Sequence, residues 1–434
     1  MSTAIFTEDV RFEPWWWEAT APPSLSDTPL PRAVDVAVVG AGFTGLSAAL
    51  ELARAGRSVL VLDAGAPGEG ASTRNGGMIG SGHRVGLAQL IRRYGRQTAL
   101  MLLKEGLAAQ DFAMEFIERE QIACDLVRSG RFRGAWRATH YEAMGREVDA
   151  LRRAIGLEAD MVPRAEQHRE IASDAYHGGV VYHRHGGLHP GLFHKGLMER
   201  ALAAGGTVAG SAPATAIARE AGGFQVQTTR GRVAARDVIV ATNGYTGPLT
   251  PGLRRRLIPV PSYMIATEPL PPGTIERLVP GGRMIVESRS RHCYYRPSPD
   301  GTRILFGGRA SLTTIDPRAG GRILHRLMTG VFPELSEVKV THAWRGFVAF
   351  SRDYLPHLGR HDGLHYALGY NGSGVAMAPY LGHKVALQVL GRPEGRSPFD
   401  ATAFPAIPFY TGRPWFLPPM ELAYRWRDRR EGSR

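Results

Sequence analysis

The feature that most constrains the fold is a glycine-rich turn between two apolar runs, in VAVVGAGFTGLSAALELARAGRSVLVLDAG (residues 36–65). A short apolar run ends at Val39 and suits a buried parallel strand. The next residues fit G-x-G-x-x-G, in which the first glycine permits a tight turn, the second lets backbone approach a pyrophosphate, and the third packs helix on strand. Apolar residues at helical spacing follow, and then a second strand. The stretch therefore predicts a βαβ unit that binds a dinucleotide.

The second strand ends at Asp63, about 20 residues after the glycines, where a carboxylate accepts hydrogen bonds from ribose hydroxyls. Strand, glycines, helix, strand and acid thus occur in the order that this motif requires. A nicotinamide enzyme, a flavoenzyme and a non-catalytic nucleotide sensor all begin in this way. The motif alone therefore leaves the cofactor open.

Two further glycine-rich segments favour a flavin. Directly after Asp63 comes AGAPGEGASTRNGGMIGSG, a long polar loop in place of the alternating strands and helices of a nicotinamide domain. Such a loop suits close approach of backbone to a polar heteroaromatic ring and its ribityl chain. Residues 364–390 predict a strand, a loop and a helix that begins near Gly374. The N-terminus of that helix would stabilise a reduced, anionic flavin.

Composition limits the other classes of function. The chain has 434 residues, 43% of them hydrophobic, which is enough for two or three domains with sizeable cores. No segment approaches the roughly 20 apolar residues that span a bilayer, and the acidic, aromatic N-terminus does not resemble a signal peptide. The two cysteines, Cys124 and Cys293, have no metal-binding spacing and form no disulfide framework. We therefore expect a soluble, cytoplasmic protein that binds no membrane.

The net charge of +13 comes almost entirely from scattered arginines. No basic helix or groove motif with interleaved aromatic residues occurs, so we do not expect nucleic-acid binding. The positive charge instead favours anionic substrates or cofactor phosphates. Five histidines lie close together in YHGGVVYHRHGGLHPGLFH (residues 176–194), but no cysteine or carboxylate in this run completes a metal site. We expect no bound metal.

Further motifs are distributed along the whole chain. They are Trp15-Trp16-Trp17, VVGAGFTGLSAALELA, GASTRNGG, DVIVATNGYT (237–246), YYRPSPDGTRILFGGR (294–309), WRGFVAFSRDYLPHLG (344–359), GYNGSGV (369–375) and FPAIPFYTGRPWF (404–416). Together they resemble the D-amino-acid-oxidase-like FAD-dependent oxidoreductases, and within them most of all the γ-glutamylputrescine oxidoreductase group. The resemblance implies an α/β fold (α+β overall), in which a Rossmann-like FAD-binding domain is interleaved with a substrate domain built on a mixed β-sheet with helices.

The resemblance also implies how the chain is divided. The FAD-binding domain would be assembled from residues 33–90, 177–248 and 342–392. The substrate domain would take residues 91–176 and 249–341. Residues 1–32 would form an aromatic N-terminal extension, and residues 393–434 a C-terminal tail packed on the FAD-binding domain.

Roles for the residues that hold FAD follow from the same resemblance. The pyrophosphate would be held by Gly40, Ala41, Gly42, Thr44 and Gly45, and the adenosine ribose by Asp63. The ribityl chain and isoalloxazine would be lined by Ala71, Ser72, Arg74, Asn75, Gly76 and Gly77. Ala214 would present backbone to adenine, and Ala241, Thr242 and Asn243 would lie beneath the cofactor. The pyrimidine side would be covered by Gly369, Tyr370, Asn371, Gly372, Ser373 and Gly374.

Residues for catalysis are expected on one predicted strand. Amine oxidation needs a substrate C–H aligned over the flavin and a neutral amine, and protein groups orient and desolvate the substrate. The strand offers His292, Tyr294, Tyr295 and Arg296, and because alternate residues face opposite sides, only half of them can face the flavin. If His292 and Tyr294 share a face, Cys293 and Tyr295 share the other. The candidates from this strand are His292, Tyr294 and Arg296, and the resemblance adds Trp344 and Arg309 by family position. The alternative interpretation is an aromatic-rich strand packed in the core.

Two departures from sarcosine-oxidising relatives bear on the flavin. Their cysteine tether precedes the DYLP-like stretch, where this chain has Trp344-Arg345-Gly346, and Cys293 lies in a different segment. We therefore expect non-covalent FAD. Those relatives also use a lysine to activate oxygen, whereas ILFGGR (304–309) contains none. Oxygen and another electron acceptor both remain open, and so does the oligomeric state.

The resemblance thus implies a flavoprotein amine oxidase or dehydrogenase of polyamine catabolism. It would oxidise a C–N bond of a small-molecule amine or amino-acid derivative, γ-glutamylputrescine-like, to an imine by hydride transfer to flavin N5. Hydrolysis of the imine would then give an aldehyde. The alternatives are an amino-acid oxidase of the sarcosine, glycine or D-amino-acid type, and a flavoprotein electron-transfer subunit.

Overall fold

The computed structural model describes residues 5–289 and 292–430. Parts of the predicted N-terminal extension and C-terminal tail, residues 1–4 and 431–434, lie outside the described residues. The strands in the described part are β1 (Phe6–Arg11), β2 (Ala33–Val39), β3 (Val59–Leu62), β4 (Met78–Ile79), β5 (Arg131–Gly134), β6 (Ala159–Val162), β7 (Gly179–Tyr182), β8 (Gly186–Gly187), β9 (Thr207–Ala209), β10 (Ala214–Glu220), β11 (Gly223–Thr228), β12 (Gly231–Val240), β13 (Leu257–Thr267), β14 (Met284–Glu287), β15 (Cys293–Pro297), β16 (Ile304–Gly308), β17 (Val340–Ser351), β18 (His357–His361) and β19 (Leu364–Leu368). The α-helices are α1 (Phe43–Arg54), α2 (Leu87–Arg119), α3 (Ala138–Ile155), α4 (Pro190–Ala203), α5 (Pro251–Arg254), α6 (Thr274–Leu278), α7 (Pro317–Val331), α8 (Gly374–Val389) and α9 (Leu417–Arg430).

The predicted βαβ unit forms the centre of an eight-stranded sheet. Its strand order is β10-β11-β12-β2-β3-β9, with β19 paired to β12 and β18 paired to β19. Five strands of this sheet run parallel to one another, in the order β19-β12-β2-β3-β9. Alternate residues of β2 pack into two different cores, Val36 and Val38 on one face and Ala37 and Val39 on the other. Burial on both faces explains why the strand is continuously apolar.

A second, mixed sheet has nine strands in the order β1-β17-β13-β16-β15-β14-β5-β7-β6. Helix α7 covers one face, where Leu324 and Met328 pack with Ile265 and Phe306 in a buried core. The alternate side chains point to the opposite face, which carries Met264 and Trp344 with the tryptophans of the N-terminal extension. That opposite face, through Ser262 and Tyr294, forms one wall of a cavity that is called the main cavity below. The α/β fold with a second, mixed sheet is therefore confirmed.

Two strands fall outside the division of the chain expected from the sequence. Strands β7 and β17 belong to the nine-stranded sheet, although residues 177–248 and 342–392 were both expected in the FAD-binding domain. Strand β17 pairs with β13 from Val340 to Ser351, and only afterwards does the chain pass to β18. The chain thus passes from the nine-stranded sheet to the eight-stranded sheet about ten residues later than the sequence indicated.

The helix predicted over residues 87–117 is α2, which is interrupted once. Gly95 has φ of 77°, in the left-handed region that glycine adopts at low cost, and separates two helical pieces. Its longer piece brings Leu103 and Leu107 to the main cavity. No helix within residues 5–289 and 292–430 combines the length and apolar composition needed to cross a bilayer.

Candidate active site

The glycine-rich turn between β2 and α1 has the geometry that its sequence requires. Gly40 has φ of 107°, and a Cβ there would lie 2.9 Å from the Ala241 carbonyl oxygen. A Cβ on Gly45 would overlap the carbonyl oxygen of Gly40, because α1 packs tightly against the turn. Helix α1 begins directly after Gly42, so the positive end of its dipole faces the turn. This arrangement suits a pyrophosphate.

Asp63 lies beside the same turn, at the end of β3. Its carboxylate accepts hydrogen bonds from the backbone N–H groups of Ala41 (2.8 Å) and Gly65 (3.1 Å). Burial raises the pKa of Asp63. The loop before β10 passes here too, since the Ala212 N–H donates to the Asp63 carbonyl oxygen. Ala214 itself lies on β10, where it pairs with Thr228, and does not line the main cavity.

Hydrogen bonds connect the other segments that the sequence assigned to the cofactor. The 71–77 loop meets the start of α1, the 369–374 loop meets both α1 and the turn after β12, and that turn meets β2. The bonds are Phe43 N–H to Ser72 Oγ (2.9 Å), Thr44 Oγ1 with Tyr370 OH (2.6 Å), Gly369 N–H to Asn243 Oδ1 (2.9 Å) and Ala241 N–H to Val39 O (2.8 Å). The structure therefore brings segments far apart in sequence to one place. Thr242 lies in the same turn, with its hydroxyl 2.8 Å from that of Thr246.

The 71–77 loop is held by tryptophans that sequence reasoning noted but did not assign to it. The indole N–H groups of Trp16 and Trp344 donate to the carbonyl oxygens of Asn75 (2.9 Å) and Arg74 (3.0 Å). Trp17 donates to the Thr73 hydroxyl at 2.9 Å. Three consecutive tryptophans in an otherwise polar N-terminal segment were the available signal, because buried indoles usually need an acceptor.

Asn75 shapes the 71–77 loop from within. Its amide nitrogen donates to the carbonyl oxygens of Ala71 (3.0 Å) and Ser72 (2.8 Å). Its amide oxygen accepts the N–H of Gly77 at 2.8 Å. Both ends of one side chain thus fix the turn of the loop.

Two of the four predicted catalytic residues lie behind this loop and do not line the cavity. Arg296 is 2% exposed and donates to the carbonyl oxygens of Gly77 (3.1 Å) and Leu188 (2.9 Å). Burial lowers the pKa of Arg296 to about 10. Trp344 is 1% exposed and faces the same loop. Their positions make them residues that hold the loop, in place of the substrate contact expected from the sequence.

The main cavity has a volume of about 640 Å³ and lies between the nine-stranded sheet, the 71–77 loop and the start of α8. His292 and Tyr294 line it, whereas Cys293 and Tyr295 pack in the core beneath α7, as strand alternation requires. Its wall also includes Ala71, Arg74, Asn75, Gly76, Ser262, Arg309, Gly346, Asn371, Gly372 and Ser373.

Tyr294 lies where the loop and the sheet meet. A Cβ on Gly76 would be 3.0 Å from its ring, and one on Gly307, its partner on β16, would overlap it. The Tyr294 hydroxyl is 3.0 Å from the Ser262 hydroxyl. Two glycines thus make room for a large aromatic ring beside the 71–77 loop.

His292 is held as a neutral hydrogen-bond acceptor. Arg84 places a guanidinium nitrogen 3.2 Å from His292 Nε2 and donates from Nε to the Asn371 carbonyl oxygen at 2.9 Å. Burial, together with the charges of Arg84 and Arg309, keeps the pKa of His292 well below its usual range. Because Nε2 accepts from Arg84, the ring proton is on Nδ1. Sequence reasoning missed Arg84, which connects the 369–374 loop to His292, the residue before β15.

The 369–374 loop turns the chain into α8 through left-handed backbone. Gly369 (φ 79°) and Gly372 (φ 102°) lie in this region, and so does Asn371 (φ 53°). The Ser373 side chain donates to the Gly82 carbonyl oxygen at 2.7 Å and does not cap α8. Helix α8 begins at Gly374, as predicted, with its positive end at the cavity wall.

The five clustered histidines have separate structural partners. His194 lies 2.7 Å from the Ala41 carbonyl oxygen, and His189 accepts the Leu192 N–H at the start of α4. His185 stacks on Tyr182, at 4.9 Å between ring centroids. Among the described residues no group of three or more histidine, cysteine, aspartate or glutamate side chains is placed to hold a metal ion.

Three buried histidines, two from this cluster and His342 on β17, predict a strong pH dependence of stability. Burial lowers the pKa of His189, His194 and His342 to about 4, below the value of about 6.5 in an unfolded chain. The unfolded state then binds more protons between pH 6.5 and 4, so stability is lost as pH falls through this range. Each histidine contributes about 1.4 kcal/mol per pH unit. Urea unfolding of His194→Gln should show a shallower pH dependence, and an unchanged slope would contradict this assignment.

Comparisons with known proteins agree with this architecture. Residues 35–388 match the family model "FAD dependent oxidoreductase" (DAO). The chain is 33% identical to a probable oxidoreductase OrdL of Rhizobium meliloti, over 91% of this chain and 92% of that protein. It is 32% identical to the gamma-glutamylputrescine oxidoreductase of Escherichia coli, over 91% and 93%. The crystal structure of a glycine oxidase from Geobacillus kaustophilus has the same fold, with a TM-score of 0.72 over 88% of this chain and all of that one, at 23% identity.

The residues of the site fit FAD. Close-approach glycines at the N-terminus of α1 suit its pyrophosphate, and Asp63 suits its adenosine ribose. Backbone of the 71–77 and 369–374 loops lines the space next to Tyr294, as a flavin ring requires. The chain therefore belongs to the DAO family of FAD-dependent oxidoreductases and is an enzyme whose cofactor is FAD.

Proposed function

We propose that the enzyme oxidises the C–N bond of an elongated amine or amino-acid derivative of the γ-glutamylputrescine type. The substrate carbon loses a hydride and the nitrogen a proton, which leaves an imine that water converts to an aldehyde and ammonia. FAD, when bound, supplies the acceptor for that hydride. We further propose a role in polyamine catabolism in the cytoplasm. The E. coli relative bears the name of this reaction and aligns over nearly the whole chain.

The observation that carries this proposal is the extent of the cavity along the sheet. Tyr294, Val286 and Arg133 are cross-strand partners on β15, β14 and β5, and all three line the cavity. Neighbouring strands lie about 4.8 Å apart, so the cavity reaches about 10 Å beyond Tyr294. A small amino acid such as glycine does not need this length, whereas an acylated diamine does.

The chain's own residues would orient the amine and exclude water. Tyr294 forms the wall next to the 71–77 loop, and His292, whose ring is uncharged, lines the cavity beside it. Arg296 and Trp344 keep the loop in place by hydrogen bonds to its carbonyl oxygens. We assign them positioning roles, because neither touches the cavity.

Non-covalent FAD remains part of the proposal. Cys124 and Cys293 are both buried, and burial raises the pKa of the Cys124 thiol to about 12. Cys293 packs beneath α7, on the face of the sheet opposite the cavity. Within the described residues no cysteine or lysine lines the cavity. The geometry therefore supports a dissociable flavin, and either oxygen or another acceptor would reoxidise it without a lysine.

The second candidate is an oxidase of glycine or a similar small amino acid. A glycine oxidase of Geobacillus kaustophilus is 26% identical to this chain over 86% of its length. Arg309 lines the cavity next to Phe350 and would clamp an α-carboxylate in that case.

Steady-state turnover distinguishes the two candidates. The FAD-loaded enzyme would be assayed with γ-glutamylputrescine, putrescine, sarcosine, glycine and D-alanine, in air and with an artificial electron acceptor, while the aldehyde product is trapped. We expect the highest kcat/KM for γ-glutamylputrescine. A preference for glycine or sarcosine would favour the second candidate. Absence of turnover with every amine and acceptor would overturn both.

A further inference from the structure

Two arginines on β5 lie at the part of the cavity away from the 71–77 loop. Arg131 and Arg133 are two residues apart on this strand and therefore point to the same face. Both line the cavity, whereas Phe132 between them packs in the core beneath α7. The alternation places two guanidinium groups in the wall of one cavity.

The charge of Arg131 is poorly compensated by the protein. Within the described part of the chain its guanidinium donates to the Ile79 carbonyl oxygen at 3.3 Å and makes no ion pair. Its Nε–H is buried and has no hydrogen-bond partner there. Burial lowers the pKa of Arg131 to about 10, so the group is still charged at neutral pH. A desolvated cation without a carboxylate is costly unless an anion completes the site.

Two carboxylates in the described ranges line the cavity, and Glu147 is the one beside Arg133, because Glu287 is already paired with Arg289 through both of its carboxylate oxygens (2.6 and 2.8 Å). Glu147, on α3, is 3.7 Å from Arg133, and both side chains are partly exposed. The charged lining there thus consists of Arg131, Arg133 and Glu147, beside the Arg289–Glu287 ion pair. This set matches a group that carries a carboxylate next to an ammonium.

The apolar part of the cavity wall, and the distance between the strands of Tyr294 and Arg133, fit a substrate that contains a chain of methylene groups. Helices α2 and α3 contribute Leu103, Leu107 and Leu151 to the cavity wall. In the γ-glutamyl amide of putrescine, nine bonds separate the reacting carbon from the α-carboxylate carbon. Nine bonds equal three extended residues, or roughly 10 Å, which is the separation between the strands of Tyr294 and Arg133.

We propose that Arg131, Arg133 and Glu147 form a recognition site for the α-amino-acid end of the substrate. The two arginines bind its carboxylate, and Glu147 binds its ammonium group. This proposal rests on the proposed function for the identity of the reacting amine. The site restricts the substrate to a diamine that is acylated by the side-chain carboxyl group of an amino acid.

Four putrescine amides test the site, since they share the reacting amine and differ only at the other end. The acyl groups are γ-glutamyl, with both charges; glutaryl, with the carboxylate alone; 4-aminobutyryl, with the ammonium alone; and butyryl, with neither. We expect Arg131→Gln to raise KM roughly 10- to 100-fold for the two carboxylates and to leave KM for the other two unchanged. Glu147→Gln should raise KM only for the two amides whose acyl group carries an ammonium, γ-glutamyl and 4-aminobutyryl. Equal effects on all four amides, or none, would overturn the proposal.

Control variants distinguish loss of this recognition site from misfolding, and a binding measurement distinguishes it from failure of the proposed function. Arg133→Gln, at a partly exposed position, provides a second variant if Arg131→Gln fails to fold, and Arg131→Lys should recover part of the affinity. Arg128→Gln, on the surface and paired with Glu118, should change nothing. If no amide is oxidised, the site is tested by calorimetric binding of N-butylglutaramate to the holoenzyme, because this compound keeps the carboxylate and lacks the reacting amine. Affinity that falls in Arg131→Gln and Arg133→Gln supports the site, and absent or unchanged binding overturns it.

Discussion

Gly42→Val is expected to purify without FAD. Gly42 ends the turn at the N-terminus of α1, where the backbone has to approach the pyrophosphate, and a valine side chain would occupy that space. The ratio of flavin to protein absorbance after purification measures the effect. A yellow, fully loaded variant would contradict the assignment of this turn.

A matched pair of variants separates loss of FAD from damage to the fold. A Cβ at Gly42 would also lie 2.8 Å from Ser72 Oγ, which accepts the Phe43 N–H. Ser72→Ala removes this clash and should by itself retain FAD. When both proteins are stripped of FAD, the double variant Gly42→Ala with Ser72→Ala should unfold at a temperature close to that of Ser72→Ala, yet it should bind FAD much more weakly. Normal loading of the double variant would show that only the contact with Ser72 matters.

Tyr294→Ala is expected to retain FAD and to lose about 100-fold in the rate of flavin reduction by the preferred amine. The ring fills the space between Gly76 and Gly307, next to the 71–77 loop, so its removal leaves the reacting end of the substrate loosely held. Misplacement of a substrate by about 1 Å costs a factor of this size. Anaerobic stopped-flow measurement of flavin reduction gives the rate directly.

Tyr294→Phe is the control for the hydroxyl group. It keeps the ring and loses only the contact with Ser262 at 3.0 Å, so it should stay within about tenfold of the wild-type rate. Equal rates for the alanine variant and the wild type would remove Tyr294 from the site. Equal loss in both variants would instead assign the main effect to the hydroxyl.

The parts of the fold predicted from sequence are those fixed by neighbouring residues. The turn at Gly40 and the strand that ends at Asp63 depend on steric limits and apolar runs within thirty positions of the chain. The start of α8 at Gly374 follows from a glycine-rich loop before an apolar helix. Strand alternation around Tyr294 also predicted correctly which side chains share a face.

Contacts between distant segments could not be predicted in the same way. Trp344 and Arg74 are 270 positions apart, and only the pairing of β17 with β13 brings that tryptophan behind the 71–77 loop. Arg296 was expected to contact substrate because it shares a face with Tyr294, but further along β15 that face meets Gly77 and not the cavity. The pattern Arg131-Phe132-Arg133 does show two arginines on one face, but the sequence does not reveal that this face lines the cavity.

The most direct test of the account is anaerobic bleaching of the oxidised flavin's visible absorbance by γ-glutamylputrescine. The account predicts rapid and complete bleaching, faster than with putrescine, sarcosine, glycine or D-amino acids, and recovery of the absorbance when an electron acceptor is admitted. A fully loaded flavin that no amine reduces, but that a reduced protein partner does, would contradict it and identify the chain as an electron-transfer flavoprotein.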